Sequence, residues 1–514
     1  MAPPSVGAWV GAGLSWVSLV PSGARWLRVA QREHYLPGAT SRFSVRWWLR
    51  VPWNVPLALA ALIAVGLAWP WPAVAAGPAA IAVMAPLGLS VRGRTSSLSV
   101  TRRLRTLAVI WLAEEGGIAA LGILTHHPAF GAAIGVLVAA PAVDLACLVL
   151  VPVERRLAGR FVAKAAARLG VVSPRIVGIT GSYGKTSTKN YVTHLLADRL
   201  RVVATPASFN NRAGLARAVN EHLAPTTELF VAEMGTYGLG EIAELCSWCP
   251  PDVAVITAIG PVHLERFGSE DAIVVAKSEI TAGASVVVLN TDDRRLDALG
   301  KELRGDSSPP RVIRCSAIDQ GADVCLLVER GRASIVLAGQ RIGADHGLEP
   351  GIQPTNLACA LGVVLALGVP IDQVANRIDT LPTVPHRLEV ATAASGVVVV
   401  DDTFNSNPAG SRAALRVLAG VASGGRTVVA TPGMVELGGR QAEENRAFAA
   451  SSLEVADTLI VIGWTNRTAL SSPGSMAGRL VTVRTREDAV QWVRQNLGSG
   501  DAVLYENDLP DHYP

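Results

Sequence analysis

Residues 175–190 read RIVGITGSYGKTSTKN: an apolar run, a glycine turn, Lys-Thr-Ser, then a helical pattern from near Lys189. That order is what a phosphate cradle needs. Gly181 and Gly184 let backbone N–H groups approach phosphates, and the helix N-terminus adds partial positive charge. Lys185 reaches the outer phosphates, and Thr186, followed by Ser187, offers a hydroxyl to Mg2+. The strict P-loop spacing wants a glycine where Ile179 stands, so the loop is a variant. Further along, Glu233 closes the apolar run FVAE, well placed to hold Mg2+ near the phosphates. His263 follows VITAIGPV, Lys277 stands in AKSEI at an expected helix start, and Asn210 and Asn211 come after VVAT. Taken singly, each is an ordinary strand-end residue.

The elements that must position them alternate strand and helix. Apolar strands are expected at 175–180, 201–205, 228–234, 252–258 and 285–290, with loop clusters at 307–310 and 339–354. A second series follows Pro382–Pro385, near 397–401, 426–430, 458–462, 480–484 and 502–505. Such alternation predicts mostly parallel sheets covered by helices, with polar chemistry at the carboxyl ends of the strands.

The first 155 residues have a different texture. Half of the whole chain is hydrophobic and only 17% charged, and the apolar excess lies here. The first 20 residues lack a cleavage site behind a charged start, so no cleaved signal peptide is expected. Arg25, Arg28, Arg32, Arg42, Arg46 and Arg50 are mixed with aromatics, as in a headgroup region. Apolar segments at 54–70, 73–91, 106–124 and 129–153 each approach the ~20 residues of a bilayer span. Arg92, Arg94, Arg102, Arg103 and Arg105 lie between the second and third, and Arg155, Arg156 and Arg160 follow the fourth. This is the positive-inside pattern of four transmembrane helices in a bacterial-type cytoplasmic membrane, with the catalytic domains cytoplasmic. Glu114, Glu115 and Asp144 would then be intramembrane candidates, facing a lipid-linked substrate, paired with arginines or close to an interface. A net charge of +4 without a basic, aromatic-studded stripe beyond the first third argues against nucleic acid. The six scattered cysteines resemble no disulfide framework, and Cys246-Ser-Trp-Cys249 lacks partners for a metal.

In their order, TGSYGKTS, FNN, AEMG, HLERFGS and AKSEI resemble the Mur ligase family, closest to its branch that adds D-alanyl-D-alanine to the peptidoglycan precursor. The likeness continues through NLACALGVVLALGV from Asn356, PHRLE at 385–389, DDTFNSNP at 401–408 and GMVELG at 433–438. The resemblance implies that Lys185 and Thr186 bind ATP phosphates and Mg2+, with Glu233 and His263 as metal ligands. It implies that Lys277 is carbamylated to help hold a second Mg2+. Arg387, Asp402 and Asn405 would close over the nucleotide, and Asn356 would approach the adenine. The activity implied joins a carboxylate to an amino-acid or dipeptide amine through an acyl phosphate.

The expected fold is an α-helical membrane region (1–156), a P-loop parallel-sheet ATP-binding domain (157–384) and a Rossmann-like C-terminal domain (385–514). Three departures stand out. The family's N-terminal nucleotide-sugar domain has no counterpart, so the carboxylate is expected to be lipid-linked or no nucleotide sugar at all, with the family's nucleotide-linked substrate kept as the other possibility. Ile352-Gln353 replaces a His-Asn pair on the adenine side. VLYENDLPDHYP replaces a Lys-Gly-Ser turn, so that Glu506, Asn507 and Asp508 either favour a cationic acceptor or form a plain polar turn. Alternatives are a polymerising ligase resembling poly-γ-glutamate synthase, a membrane P-loop ATPase or scaffold without ligase activity, and a transporter.

Overall fold

The computed structural model describes residues 4–514 apart from 92, 94–97, 208, 350, 383–385, 405, 423, 473–477 and 511. Arg92, Arg94, Asn405 and the boundary expected near 384 therefore lie outside the described residues. The chain divides into two compact units: residues 1–156 with 462–468 and 508–514, and residues 157–461 with 469–507.

The second unit holds two sheets. The first contains β1 (Arg175–Thr180), β2 (Val202–Ala204), β3 (Leu229–Glu233), β4 (Val253–Ile256), β5 (Val286–Asn290), β6 (Arg311–Ser316), β7 (Val324–Glu329), β8 (Arg332–Leu337) and β9 (Gln340–Gly347). Their spatial order is β2-β3-β1-β4-β5-β6-β7-β8-β9. Neighbours pair in parallel from β2 to β7, and β7, β8 and β9 pair antiparallel. The loop expected at 339–354 is thus largely strand. Two-residue turns at Arg330-Gly331 and Ala338-Gly339, all four with positive φ, fold this end into hairpins. Along β1, Val177 and Ile179 face one core while Ile176 faces the other. Both faces are covered, which is why the central strands read as continuous apolar runs.

The second sheet contains β10 (Glu389–Thr392), β11 (Val398–Asp402), β12 (Thr427–Thr431), β13 (Thr458–Ile462), β14 (Leu480–Val483) and β15 (Ala502–Glu506), in the order β10-β11-β15-β12-β13-β14. β11, β15, β12 and β13 are parallel and β10 is an antiparallel edge.

The first unit is helical, but four spans are not what the helices provide. The segment expected at 73–91 contains the nine-residue helix Ala76–Met84, ~14 Å long against a hydrocarbon core of ~30 Å. Among the described residues, Arg102–Leu124 and Pro128–Val172 are long and apolar enough to cross a membrane. A third candidate is the pair Ala39–Arg50 and Asn54–Leu67, bent by 111°. Several charged residues expected at an interface or in a substrate path instead tie helix ends. Arg25 donates to the carbonyls of Ala82 at 2.7 Å, Ala85 at 3.2 Å and Leu89 at 3.2 Å, satisfying the end of the Ala76–Met84 helix. Asp144 accepts from the N–H groups of Thr40 at 3.1 Å and Ser41 at 2.7 Å, at the start of the Ala39–Arg50 helix. Within the same unit, Trp47 Nε1 donates to His512 O at 2.6 Å, His512 pairs with Glu33 at 3.0 Å, and Tyr513 packs edge-on against Phe43.

Candidate active site

The site forms at the carboxyl ends of the central strands of the first sheet. After β1 the chain turns at Gly184, which has φ +81° and caps the helix Lys185–Leu196. The helix thus starts at Lys185, a turn earlier than expected, because the left-handed turn is completed at Gly184. A Cβ on Gly184 would lie 2.1 Å from Asn356 Oδ1, so only glycine fits between loop and neighbouring helix. The first-turn N–H groups of Lys185, Thr186 and Ser187 have no acceptor within their helix, which makes this end an anion site. Ser182 stitches the turn to the loop after β4 through Gly260, donating to its carbonyl at 3.1 Å and accepting from its N–H at 3.0 Å.

Glu233, the last residue of β3, is buried and held from three sides. Oε2 accepts from Thr186 Oγ1 and from Lys189 Nζ, each at 3.0 Å, and Oε1 accepts from Asn210 Nδ2 at 3.1 Å. Burial pushes its pKa up, but the charges of Lys189 and Lys185 and these hydrogen bonds bring it below the usual carboxylate range. Lys189 was absent from the sequence-derived site. Its ammonium is almost fully buried, also donates to Ala207 O at 2.8 Å, and sits one helical turn after Lys185. That i,i+4 spacing on one helix face was the available signal.

A cavity of about 60 Å3 is lined by Gly181, Ser182, Lys185, Asn210, Asn211, His263 and Lys277, among others. Lys185 Nζ donates to Gly181 O at 2.6 Å; burial lowers its pKa, Glu233 opposes the shift and Arg387 adds to it. Asn211 lines this cavity too, but its Oδ1 caps the Arg212–His222 helix through Gly214 N at 2.9 Å, leaving Asn210 to reach Glu233. Lys277 stands in the last turn of the helix Glu270–Ser278, not at a helix start. It is 4% exposed, and no hydrogen bond or ion pair is found for its amine among the described residues. Burial, reinforced by Lys185, drives its pKa well below the ordinary lysine value. His263 has φ +57° and its Nδ1 pairs with Glu436 Oε2 from the loop after β12.

A larger cleft of about 690 Å3 adjoins the glycine turn, within the usual size of small-molecule sites. Gly184, Ser187, Gln353, Asn356, Arg387 and Asp402 are among its lining residues. Arg387 lies 4.3 Å over the Phe404 ring, and its Nε is buried without a hydrogen-bond partner among the described residues. Burial lowers the Arg387 pKa, with Glu233 and Asp402 opposing. Asp402 Oδ1 accepts from Leu388 N at 3.2 Å, and burial raises its pKa to about 6. Of the pair that replaces His-Asn, Ile352 is buried in the core and Gln353 lines the cleft. Of the two readings left open for Glu506 and Asn507, their contacts favour the structural one. Glu506 is fully buried and accepts from Ser406, while Asn507 Nδ2 donates to Gly433 O at 2.6 Å. Burial and the neighbouring Asp402 push Glu506 well above the usual carboxylate range.

Comparison with known proteins assigns the class. Residues 179–361 match the Mur ligase middle domain, and residues 386–505 match the Mur ligase glutamate ligase domain. The UDP-N-acetylmuramoyl-tripeptide–D-alanyl-D-alanine ligase of Mycobacterium leprae is 32% identical over 376 residues, covering 66% of this chain and 72% of its own. Its Mycobacterium tuberculosis counterpart (strain H37Rv) is 37% identical over 276 residues, 50% of this chain and about half (51%) of the relative. The crystal structure of MurF ligase from Thermotoga maritima in complex with ADP superposes with a TM-score of 0.58 at 28% identity, covering 68% of this chain and 80% of that one. The chain belongs to the Mur ligase family and is an ATP-dependent ligase of that type. The multi-pass, four-span membrane localisation expected from hydropathy is corrected: the matching relatives are named as ligases of a nucleotide-linked precursor, and two helices among the described residues, or three with the bent pair, are long and apolar enough to cross a membrane. Hydropathy records only apolar content along the chain, and the segments at 54–70 and 73–91 supply that content without a single unbroken helix of spanning length.

Proposed function

We propose that this chain joins the carboxylate of a nucleotide-linked muramoyl peptide to the amine of a dipeptide such as D-alanyl-D-alanine, by way of an acyl phosphate. The nucleotide-linked substrate named for the relatives favours that donor over the lipid-linked alternative. In this reading residues 157–384 form a P-loop ATP-binding domain and the chain from 385 a Rossmann-like domain that closes over the nucleotide.

A carboxylate oxygen attacks the γ-phosphorus of ATP, and the bond to the bridging oxygen breaks to release ADP. The amine then adds to the acyl-phosphate carbonyl, loses a proton, and expels phosphate from the tetrahedral adduct. Lys185 and the first-turn N–H groups offset the charge that gathers between two anions. Arg387, stacked on Phe404 with an unpartnered Nε, is suited to a further phosphate or to the transferring group. Asn356, Gln353 and Asp402 line the larger cleft; in this reading Asn356 approaches the adenine and Asp402 closes over the nucleotide.

Thr186, Glu233, His263 and a carbamylated Lys277 are the residues that would hold Mg2+. The donor set fits, since Glu233 is kept ionised beside the Thr186 hydroxyl. Mg2+, when bound, supplies Lewis-acid charge that lowers the repulsion between carboxylate and triphosphate. The observation that carries the reading is Lys277, a buried amine with no counter-ion among the described residues and a strongly lowered pKa. The neutral amine, favoured by burial and by Lys185, adds to CO2 and loses a proton to become a carboxylate-like ligand.

The test is substrate-dependent release of ADP and phosphate by the full-length protein, wild type beside Lys277→Ala. It uses the uridine-linked muramoyl tripeptide with D-alanyl-D-alanine, then a panel of free amino acids. Turnover that needs both substrates and disappears in Lys277→Ala, with an unchanged melting temperature, is expected. ATP turnover indifferent to Lys277 and to either substrate would overturn the assignment.

A further inference from the structure

The loop after β12 reaches across from the second sheet to the metal-ligand candidate of the first, and its Glu436 is tied there by several contacts. Glu436 Oε2 pairs with His263 Nδ1, its Oε1 lies 3.7 Å from Arg266 Nη2, and its carbonyl accepts from Glu265 N at 3.4 Å. Nearby, Arg440 Nη1 donates to Glu270 Oε1 at 2.6 Å, and Arg295 bonds the same carboxylate. Tyr237 packs edge-on against the His263 ring with centroids 4.8 Å apart. The imidazole is therefore fixed by one group from the opposite sheet and one from its own.

An ionised carboxylate only accepts hydrogen bonds. With Glu436 on Nδ1, the proton of a neutral imidazole belongs on Nδ1, and Nε2 keeps the lone pair that a cation needs. We propose that Glu436 is a positioning residue that makes His263 a metal ligand, and that apposition of the two sheets thereby completes the metal site. Carboxylates that orient ligating histidines typically change metal affinity by 10–100-fold when removed. The inference rests on the reading above that His263 ligates Mg2+. Its consequence is an order of events. Before the second sheet carries Glu436 to the loop, His263 is free to choose either tautomer, and the cation is held mainly by Thr186 and Glu233. Once the loop arrives, tautomer and ring orientation are set together, so that metal and closure stabilise one another.

The test is Mn2+ titration of the full-length protein, followed by electron paramagnetic resonance in the presence of ADP, for wild type, His263→Ala, Glu436→Ala and Glu436→Gln. Metal-free ADP affinity is measured beside it in chelator. Expected is a loss of Mn2+ affinity of ~10-fold or more in both alanine variants, with substantial recovery in Glu436→Gln, whose amide oxygen still accepts from Nδ1. Metal-free ADP affinity should stay within ~2-fold, a split that loss of folding would not give. An effect of His263→Ala without one of Glu436→Ala overturns the proposal and leaves the metal reading standing. No effect of His263→Ala defeats the metal reading, and the proposal with it. Equal losses of Mn2+ and metal-free ADP affinity in Glu436→Ala assign it a structural role and overturn the proposal. If Glu436→Ala does not fold, long-range 1H–15N spectra of histidine-labelled wild type decide: an Nδ1–H tautomer at His263 supports the proposal and an Nε2–H tautomer overturns it.

Discussion

Replacing Lys189 by methionine tests whether the site is held together by a buried charge pair. The ammonium and the Glu233 carboxylate are 3% and 2% exposed and 3.0 Å apart. Lys189→Met keeps the volume and removes the charge, leaving Glu233 with Lys185, Thr186 and Asn210. Removing one partner of a buried pair costs about 3–5 kcal/mol, because the remaining charge stays desolvated. Lys185 recovers part of this, so we expect the low end, about 3 kcal/mol in urea unfolding at pH 7.5. The loss should depend on pH. In the wild type the folded-state pKa of Glu233 is depressed, so its contribution is present above its unfolded value and is lost as pH falls through the folded value. In Lys189→Met the main depressing charge is gone, burial dominates, and Glu233 takes up its proton at higher pH. The destabilisation should therefore shrink as pH is lowered from 7.5 towards 5. Glu233→Gln in the Lys189→Met background should recover stability, since it removes the stranded charge. A loss under about 1 kcal/mol, or one independent of pH, would refute the reasoning.

Gly184→Ala should abolish ADP binding in calorimetry while the two sheets still form, since φ is +81° and the Cβ would collide with Asn356. Lys277 should show a carbamate signal in 13C spectra under labelled bicarbonate, and turnover should fall when CO2 is stripped and return when it is restored. Asp402→Asn should flatten the stability profile between pH 4 and pH 7. The folded pKa of about 6 is raised by burial, so Asp402 stabilises most below its unfolded value and loses that contribution as pH rises through 6.

How much could be read beforehand depended on how local the signal was. β1 to β5 were legible because strands buried on both faces are unbroken apolar runs, and the phosphate turn because its glycines and Lys-Thr adjoin in sequence. β7, β8 and β9 were not, because β9 is largely exposed and alternates polar with small residues, so it reads as loop. Lys189 was hidden by its ordinary helical context. Glu436 was quoted only as part of a motif, since its partner His263 is 173 residues away and on the other sheet. Arg25 and Asp144 satisfy helix ends, a need that sequence does not reveal until the helix boundaries are known.

The central claim is that the carboxylate is activated by phosphorylation before the amine arrives. It is tested most directly by turning over a donor peptide labelled with 18O in its reacting carboxylate and weighing the released phosphate. Because the attacking oxygen leaves with phosphorus, the account predicts one 18O transferred to each phosphate released. Phosphate free of label while amide forms, with the lost 18O appearing in water, would contradict it.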